Sequence, residues 1–279
     1  MKDIDGFTIA IVGLGLMGGS LAMAFKQHAV GRRVLGMDPN TAAVERAQAL
    51  GAIDGFFQDV READLIVLAM PVRAIAGWLI TYGPALAPEQ TVMDLGSAKR
   101  AIMAEMEKLD AQCIGGHPMC GKETSGIAAA EATLFKGATF VLTPATHTSQ
   151  GTMHMARQLV SAIGAEPLVM DADAHDRAVA AVSHLPYLLS ANLVNTVLEQ
   201  NDPNARLLAS SGYASTTRLA ASDTRMMGDT IASNRDYIVR QIDRFQSALA
   251  HMREAIAAGD DDTWRVQLER AREGKRNEL

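Results

Sequence analysis

The segment Gly115-Gly-His-Pro-Met-Cys-Gly-Lys-Glu123 frames a single imidazole in the way a reactive group would be framed. Glycines let the backbone approach a ligand closely and Pro118 fixes the direction in which the chain leaves, so the ring of His117 is held rather than mobile. A held imidazole can accept and return a proton near neutral pH; the plain alternative is a histidine that caps a turn. Upstream, Gly96-Ser-Ala-Lys99 offers a hydroxyl and an ammonium, and Ser97 is equally suited to cap a helix over Ala98 to Leu109. Downstream, Ser183-His-Leu-Pro186-Tyr187 carries His184 beside a proline that should kink its helix, although a lone histidine there also suits a satisfied core position. Gly212-Tyr-Ala-Ser-Thr-Thr-Arg218 ends in a guanidinium flanked by Leu219-Ala-Ala221. Such a group can grip a carboxylate through two parallel hydrogen bonds, with a structural salt bridge as the ordinary alternative. Cys113 and Cys120 bracket His117, but a zinc site would want a closer cysteine pair and a fourth ligand. Both cysteines read as packing residues, and no metal is expected.

These groups need elements to position them. Phe7-Thr-Ile-Ala-Ile-Val12 is an apolar β-branched run, Gly13-Leu-Gly15-Leu16-Met17-Gly18 a glycine turn, and Ser20 to Lys26 a helical pattern. In that order Gly13 allows a tight turn, Gly15 admits a pyrophosphate to the backbone, and Gly18 lets the helix pack on the strand while its first amides face the phosphates. Arg33 to Asp38 is a second strand whose terminal acid falls twenty positions after Gly18, where a ribose diol needs an acceptor. Capping the next helix, near Pro39 and Asn40, is the other role open to Asp38. Ala63 to Met70, stopped by Pro71, and Gln90 to Leu95 read as buried parallel strands, and Thr139 to Pro144 and Pro167 to Met170 supply two further strands, with a helix over Thr152 to Ile163 between them. Ligands of open α/β sheets sit beyond the carboxyl ends of the strands, so Met70, Pro71, Ser97, Lys99 and His117 should rim one crevice. Strand signals cease after Asp173, and a helix over about Ala174 to Leu198 follows. The longest helix, about Asn234 to Ala257, carries a seam of Ile238, Ile242, Phe245, Leu249, Met252 and Ile256. The expected fold is α/β, with a Rossmann-type dinucleotide-binding domain over residues 1–168 and an all-α substrate and dimerisation domain over residues 169–279.

With 279 residues, 48% of them hydrophobic, the chain can bury a sizeable core, and its net charge of -6 without a basic block argues against a nucleic-acid partner. The N-terminus does not suit a signal peptide and no apolar run is long enough to span a membrane, so a cytoplasmic protein is expected.

Taken together, the glycine turn, Gly96-Ser-Ala-Lys99, Gly115-Gly-His-Pro-Met119, Leu134-Phe, Val141-Leu-Thr-Pro144, Ser183-His-Leu-Pro186 and Thr216-Thr-Arg218 resemble the prephenate and arogenate dehydrogenases of tyrosine biosynthesis, nearly end to end. The resemblance implies oxidative decarboxylation of a cyclohexadienol with hydride transfer to a nicotinamide cofactor, and two subunits paired through the helical domain. It implies that His117 hydrogen-bonds the ring hydroxyl, that Ser97 assists, that Arg218 holds a substrate carboxylate and that His184, with Ser183, lines the same site. Three positions depart from the family pattern: Lys122 replaces a threonine or serine, Tyr187 a second histidine and Ser215 an acid. Lys122 and Tyr187 therefore enter the substrate-binding set as the residues that could alter carboxylate or amine recognition.

Two rival readings stand beside this one. The β-hydroxyacid dehydrogenases share a similar glycine turn but need a lysine on the long interdomain helix, and this chain has none between Lys136 and Lys275. A non-catalytic dinucleotide sensor would need the fold without His117, Ser97 and Arg218. Asp38 predicts NAD over NADP, because a 2′-phosphate there would meet a like charge. The apolar seam predicts a homodimer.

Overall fold

The computed structural model of the chain describes residues 4–277. An eight-stranded sheet runs in the order β3-β2-β1-β4-β5-β6-β7-β8. It alternates with helices as β1 (Thr8–Val12), α1 (Leu16–Gln27), β2 (Arg33–Met37), α2 (Thr41–Ala49), β3 (Gly55–Phe56), β4 (Leu65–Leu68), α3 (Val72–Tyr82), β5 (Thr91–Asp94), α4 (Arg100–Met106), β6 (Gln112–Pro118), β7 (Thr139–Pro144), α5 (Gln150–Ala162) and β8 (Glu166–Val169). Side chains along a strand point alternately to opposite faces. In β1, Ile9 and Ile11 accordingly join the layer built with α1, α2 and α5, while Ala10 and Val12 join the layer built with α3 and α4. Both faces being covered, β1, β4 and β5 are buried along their whole length.

Two features of the sheet were not read from the sequence. β3 is only two residues long, too short to carry a pattern. β7 pairs antiparallel to β6, with Gly116 opposite Leu142 and His117 opposite Val141. A parallel return needs a crossover, usually a helix, and the stretch between these strands holds only a short 3-10 turn, Ile127–Ala129. The chain therefore returns beside β6 in the opposite sense, and the buried face of a strand carries no mark of its direction.

Beyond β8 the chain is helical: α6 (Ala172–Val179), α7 (Leu185–Glu199), α8 (Pro203–Leu208), α9 (Ser211–Thr217), α10 (Thr224–Ser233), α11 (Arg235–Ala258) and α12 (Asp261–Asn277). The single kinked helix expected over Ala174 to Leu198 is instead α6 and α7 joined by a five-residue π turn, Ala180–His184. Pro186, second residue of α7, has no N–H to give the carbonyl of Val182, so the wider turn precedes the proline rather than following it. The helices from α6 to α10 are tied to the sheet domain by specific bonds: Asp229 of α10 accepts from the backbone N–H of Arg73 at 3.1 Å and from its Nε at 2.5 Å. Contacts divide the chain into a compact unit ending at Asn234 and a second beginning at Arg235, whereas the sheet ends at Val169, near the boundary read from sequence. The second unit is the pair α11 and α12. Along the seam of α11, Ile238 is buried and Ile242, Phe245 and Met252 half-buried, while Leu249 and Ile256 are 55% and 61% exposed. No helix among the described residues is long and apolar enough to cross a membrane.

Candidate active site

The order of the sheet reverses at β1, which lies between β2 and β4. Just beyond the ends of β1 and β4 opens a cleft of about 500 Å³, lined there by Gly15, Leu16, Met17, Ala69, Met70 and Pro71. The three glycines divide the work. Gly13 has φ +97°, and a Cβ on it would fall 2.4 Å from the carbonyl oxygen of Ala69; one on Gly18 would fall 1.8 Å from that of Gly13. Neither position admits a side chain. A Cβ on Gly15 would meet nothing within 4 Å, so the backbone is bare on the cleft side, and α1 begins there without a side-chain cap on its first amides. An uncapped helix N-terminus behind a bare glycine fits the pyrophosphate of a dinucleotide. Asp38, just past β2, accepts from the backbone N–H groups of Leu14 and Asn40, both at 2.8 Å. It does not cap α2; Asn40 does, accepting from Ala42 N at 3.2 Å.

His117 lines the same cleft from the end of β6. Its Nδ1 lies 2.8 Å from Nε2 of His175 on α6, and Nδ1 of His175 lies 2.8 Å from Oδ1 of Asp176. The buried carboxylate also accepts from the backbone N–H of Lys99 at 2.6 Å and of Arg100 at 3.0 Å, and is held below its ordinary pKa against the upward push of burial by His175 and these amides. As a carboxylate it can only accept, so His175 donates from Nδ1; as a neutral imidazole it then presents a lone pair at Nε2, and His117 donates to it from Nδ1 and presents its own lone pair at Nε2. Burial, the neighbouring His175, the Lys99 ammonium and His184 all hold the pKa of His117 well below 6.5. The ring is thus a neutral acceptor with its tautomer set from behind.

Lys99, expected at the crevice rim, is fully buried beneath it. Its ammonium pairs with Asp94 and donates to the carbonyl of Gly116 at 2.7 Å, while Asp94 accepts from Gly116 N at 3.1 Å. Burial pushes Asp94 up and Lys99 down, and their mutual attraction opposes both shifts. Both backbone groups of the residue before His117 are held by this pair. Ser97 lines the cleft and does not cap α4, which begins after Lys99; its Oγ lies 2.8 Å from the hydroxyl of Thr230.

Residues 21–169 match the family described as "Prephenate dehydrogenase, nucleotide-binding domain", and residues 171–270 match "Prephenate dehydrogenase, dimerization domain". The chain is 33% identical to the cyclohexadienyl dehydrogenase of Zymomonas mobilis over 264 residues, covering 91% of this chain and 90% of that one. This chain belongs to the prephenate dehydrogenase family. It is similar to the crystal structure of prephenate dehydrogenase from A. aeolicus in complex with hydroxyphenyl propionate and NAD+, with TM-score 0.92 and 26% identity over 100% of both chains. It is also similar to Synechocystis arogenate dehydrogenase, with TM-score 0.83 and 28% identity over 98% of this chain and 100% of that one. The chain is a nicotinamide-dependent dehydrogenase, and the family membership sets aside the β-hydroxyacid and sensor readings.

Against the expected site of such a dehydrogenase, the cleft gathers Gly15, Leu16, Met17, Met70, Pro71, Ser97, His117, Lys122, Ser183 and His184. Gly13 and Gly18 shape the turn beneath it. Lys122 is ion-paired with Glu131 at 2.8 Å. Arg218 is not itself part of the lining: it is exposed and paired with Glu123, a residue that lines the cleft. An acid on the loop that follows His117 captures the guanidinium, a partner that the apolar neighbours of Arg218 do not suggest. Tyr187 and Asp38 also lie outside the lining. His184 is buried, and its Nδ1 lies 3.3 Å from Nδ2 of Asn234, which also donates to the carbonyl of Asp176 at 2.7 Å. Oδ1 of Asn234 accepts from Arg100 at 3.2 Å, fixing the amide so that His184 accepts at Nδ1 and carries its proton on Nε2. Burial lowers its pKa to about 4, and Nε2 has no partner among the described residues. Reading the sequence missed His175, Asp176, Thr230 and Asn234. The first two stand in the polar run Asp171 to Arg177, which has the look of a solvated first helical turn, and no spacing signal distinguishes them.

Proposed function

We propose that the chain catalyses oxidative decarboxylation of prephenate, arogenate or both, using NAD in preference to NADP, as a homodimer. A bound nicotinamide cofactor supplies the acceptor for the hydride that leaves the hydroxyl-bearing ring carbon. The ring carboxylate departs as carbon dioxide, its bonding pair enters the ring, and the product is a phenol. The observation that carries the reading is the neutral acceptor nitrogen of His117 in the cleft beside the glycine turn. As hydride leaves, the ring hydroxyl becomes a stronger donor, and Nε2 of His117 is the lone pair suited to receive it. Lys99 and Asp94 hold the backbone behind His117, so the ring needs little reorganisation during the reaction. Arg218 suits a substrate carboxylate, which has to compete with Glu123 for the guanidinium. Asp38 favours the diol of NAD, since a 2′-phosphate would approach a carboxylate already bonded to the glycine turn. The exposed Leu249 and Ile256 of α11, together with the match to a dimerization domain, support pairing of two chains.

The deciding assay is cofactor reduction on addition of prephenate and of arogenate in parallel, with NAD and with NADP. Reduction with neither substrate would refute the reading, and equal efficiency with NADP would refute the role of Asp38. Sedimentation of a monomer at micromolar concentration would refute the dimer.

A further inference from the structure

Ser97 and Thr230 meet hydroxyl to hydroxyl across the cleft wall, and each has one hydrogen to give. Oγ1 of Thr230, a buried residue of α10, lies 2.8 Å from Oγ of Ser97 and 3.0 Å from the backbone carbonyl oxygen of Met226. A carbonyl only accepts. Both contacts are hydrogen bonds in a single arrangement: Thr230 donates to Met226, one helical turn behind it, and Ser97 donates to Thr230. The reverse assignment would leave two oxygens 3.0 Å apart with no hydrogen between them. Ser97 then has its only hydrogen turned away from the cleft and its lone pairs turned into it.

We propose that Thr230 is a positioning residue which fixes the hydrogen-bonding sense of Ser97, so that Ser97 acts toward bound ligands solely as an acceptor. The inference rests on the reading of Ser97 as a group of the active site. It names the ligand chemistry Ser97 can serve: a donor, such as the ring hydroxyl or the amide nitrogen of a carboxamide, and never a carboxylate or ketone oxygen. A hydroxyl that becomes electron-poor as hydride departs is stabilised by an acceptor and opposed by a competing donor, so the fixed sense stabilises the transition state of hydride transfer. Without Thr230 the hydroxyl of Ser97 is free to rotate and to present its hydrogen to the same oxygen.

The test is a double-mutant cycle with Thr230→Val, Thr230→Ser and Ser97→Ala, read as kcat and KM together with thermal melting. Thr230→Val preserves side-chain shape and removes the acceptor; it is expected to lower kcat roughly tenfold, the worth of about one hydrogen bond, with KM little changed. Thr230→Ser restores the acceptor and should bring kcat to within about twofold of the parent. In the Ser97→Ala background Thr230→Val should cost less than about twofold further, because the hydroxyl it orients is gone. Near-normal kcat in Thr230→Val, an equal loss in the Ser97→Ala background, or failure of Thr230→Ser to rescue each overturns the proposal. Ser97→Ala with near-normal kcat overturns the reading of Ser97 itself. Impaired Ser97→Ala beside unimpaired Thr230→Val leaves that reading standing and removes only the inference.

Discussion

Replacing Asp176 by asparagine exchanges one atom and asks whether the two-histidine chain behind the cleft sets the state of His117. The carboxylate receives four N–H donors: Lys99 N at 2.6 Å and His175 Nδ1 at 2.8 Å on one oxygen, Arg100 N at 3.0 Å and Arg100 Nε at 3.3 Å on the other. An amide has one oxygen, so its NH2 must face one of these two pairs. If it faces His175, that ring has to offer a lone pair at Nδ1 and carry its proton on Nε2. His117 must then accept at Nδ1, and its Nε2 carries a proton into the cleft, the wrong tautomer for a hydroxyl that needs an acceptor. Loss of a correctly oriented acid–base group is expected to lower kcat by roughly a hundred- to ten-thousandfold. If the NH2 faces Arg100 instead, two half-buried donors of Arg100, its backbone N–H and its Nε, lose their acceptor at about 1–3 kcal/mol each. Melting would then fall by several degrees, at roughly 2–4 °C per kcal/mol for a chain of this size. Steady-state kinetics with saturating cofactor, cofactor affinity by titration and calorimetric melting separate the two orientations. A folded Asp176→Asn variant with both kcat within about threefold of the parent and an unchanged melting temperature would refute the tautomer assigned to His117.

His117→Asn should lower kcat by roughly a hundred- to ten-thousandfold and leave cofactor affinity intact, whereas Arg218→Ala should mainly raise KM; collapse of cofactor binding in the first variant would make His117 part of the cofactor crevice instead. The acidic limb of the kcat profile should fall below pH 6.5, because His117 is held neutral well under that value and loses its acceptor only when protonated; a limb at or above it would show the ring to be solvated. His184 is depressed to about 4 from 6.5, so its contribution is complete above the unfolded value and lost as pH falls from 6.5 toward 4, with no further change below. The expected loss is about 3 kcal/mol, measured as urea stability against pH, and a flat profile across that window in the parent would refute it. Asp38→Ser should narrow the preference for NAD over NADP, read as the ratio of kcat/KM values; an unchanged ratio would move the diol contact elsewhere.

The parts of the molecule that were legible in the sequence are those governed by local rules. The turn at Gly13, Gly15 and Gly18 was readable because each glycine answers a steric demand that can be stated without the fold, and the buried strands announced themselves as continuous apolar runs. His117 was readable from its immediate neighbours. What was not legible depends on partners distant in the chain. Lys99 looks like a rim cation until Asp94 and the carbonyl of Gly116 are seen to enclose it. Arg218 looks like a carboxylate clamp in apolar company until Glu123, 95 positions away, is found bound to it. His175 and Asp176 gain meaning only when α6 lies across the end of β6, and Thr230 only when α10 reaches Ser97. Helical periodicity cannot express the direction of β7 either, since that follows from the missing crossover and not from the strand's own residues.

The π turn at Ala180–His184 has a consequence for how much length variation this part of the chain can bear. An α-helix advances about 100° per residue, so consecutive side chains face different directions, yet Ser183 and His184 both reach the cleft. On one side of the turn Asp176 is pinned to the amides of Lys99 and Arg100; on the other Ser190 accepts from the backbone of Ala220 at 2.9 Å. The wide turn works as a phase shifter between two anchored helices, absorbing a mismatch that a regular ladder would have to spread along both. Deleting one residue at this turn would restore ordinary helical winding at the expense of one anchor: either α6 rotates and the histidine chain behind His117 opens, or α7 rotates and Ser190 swings away from Ala220.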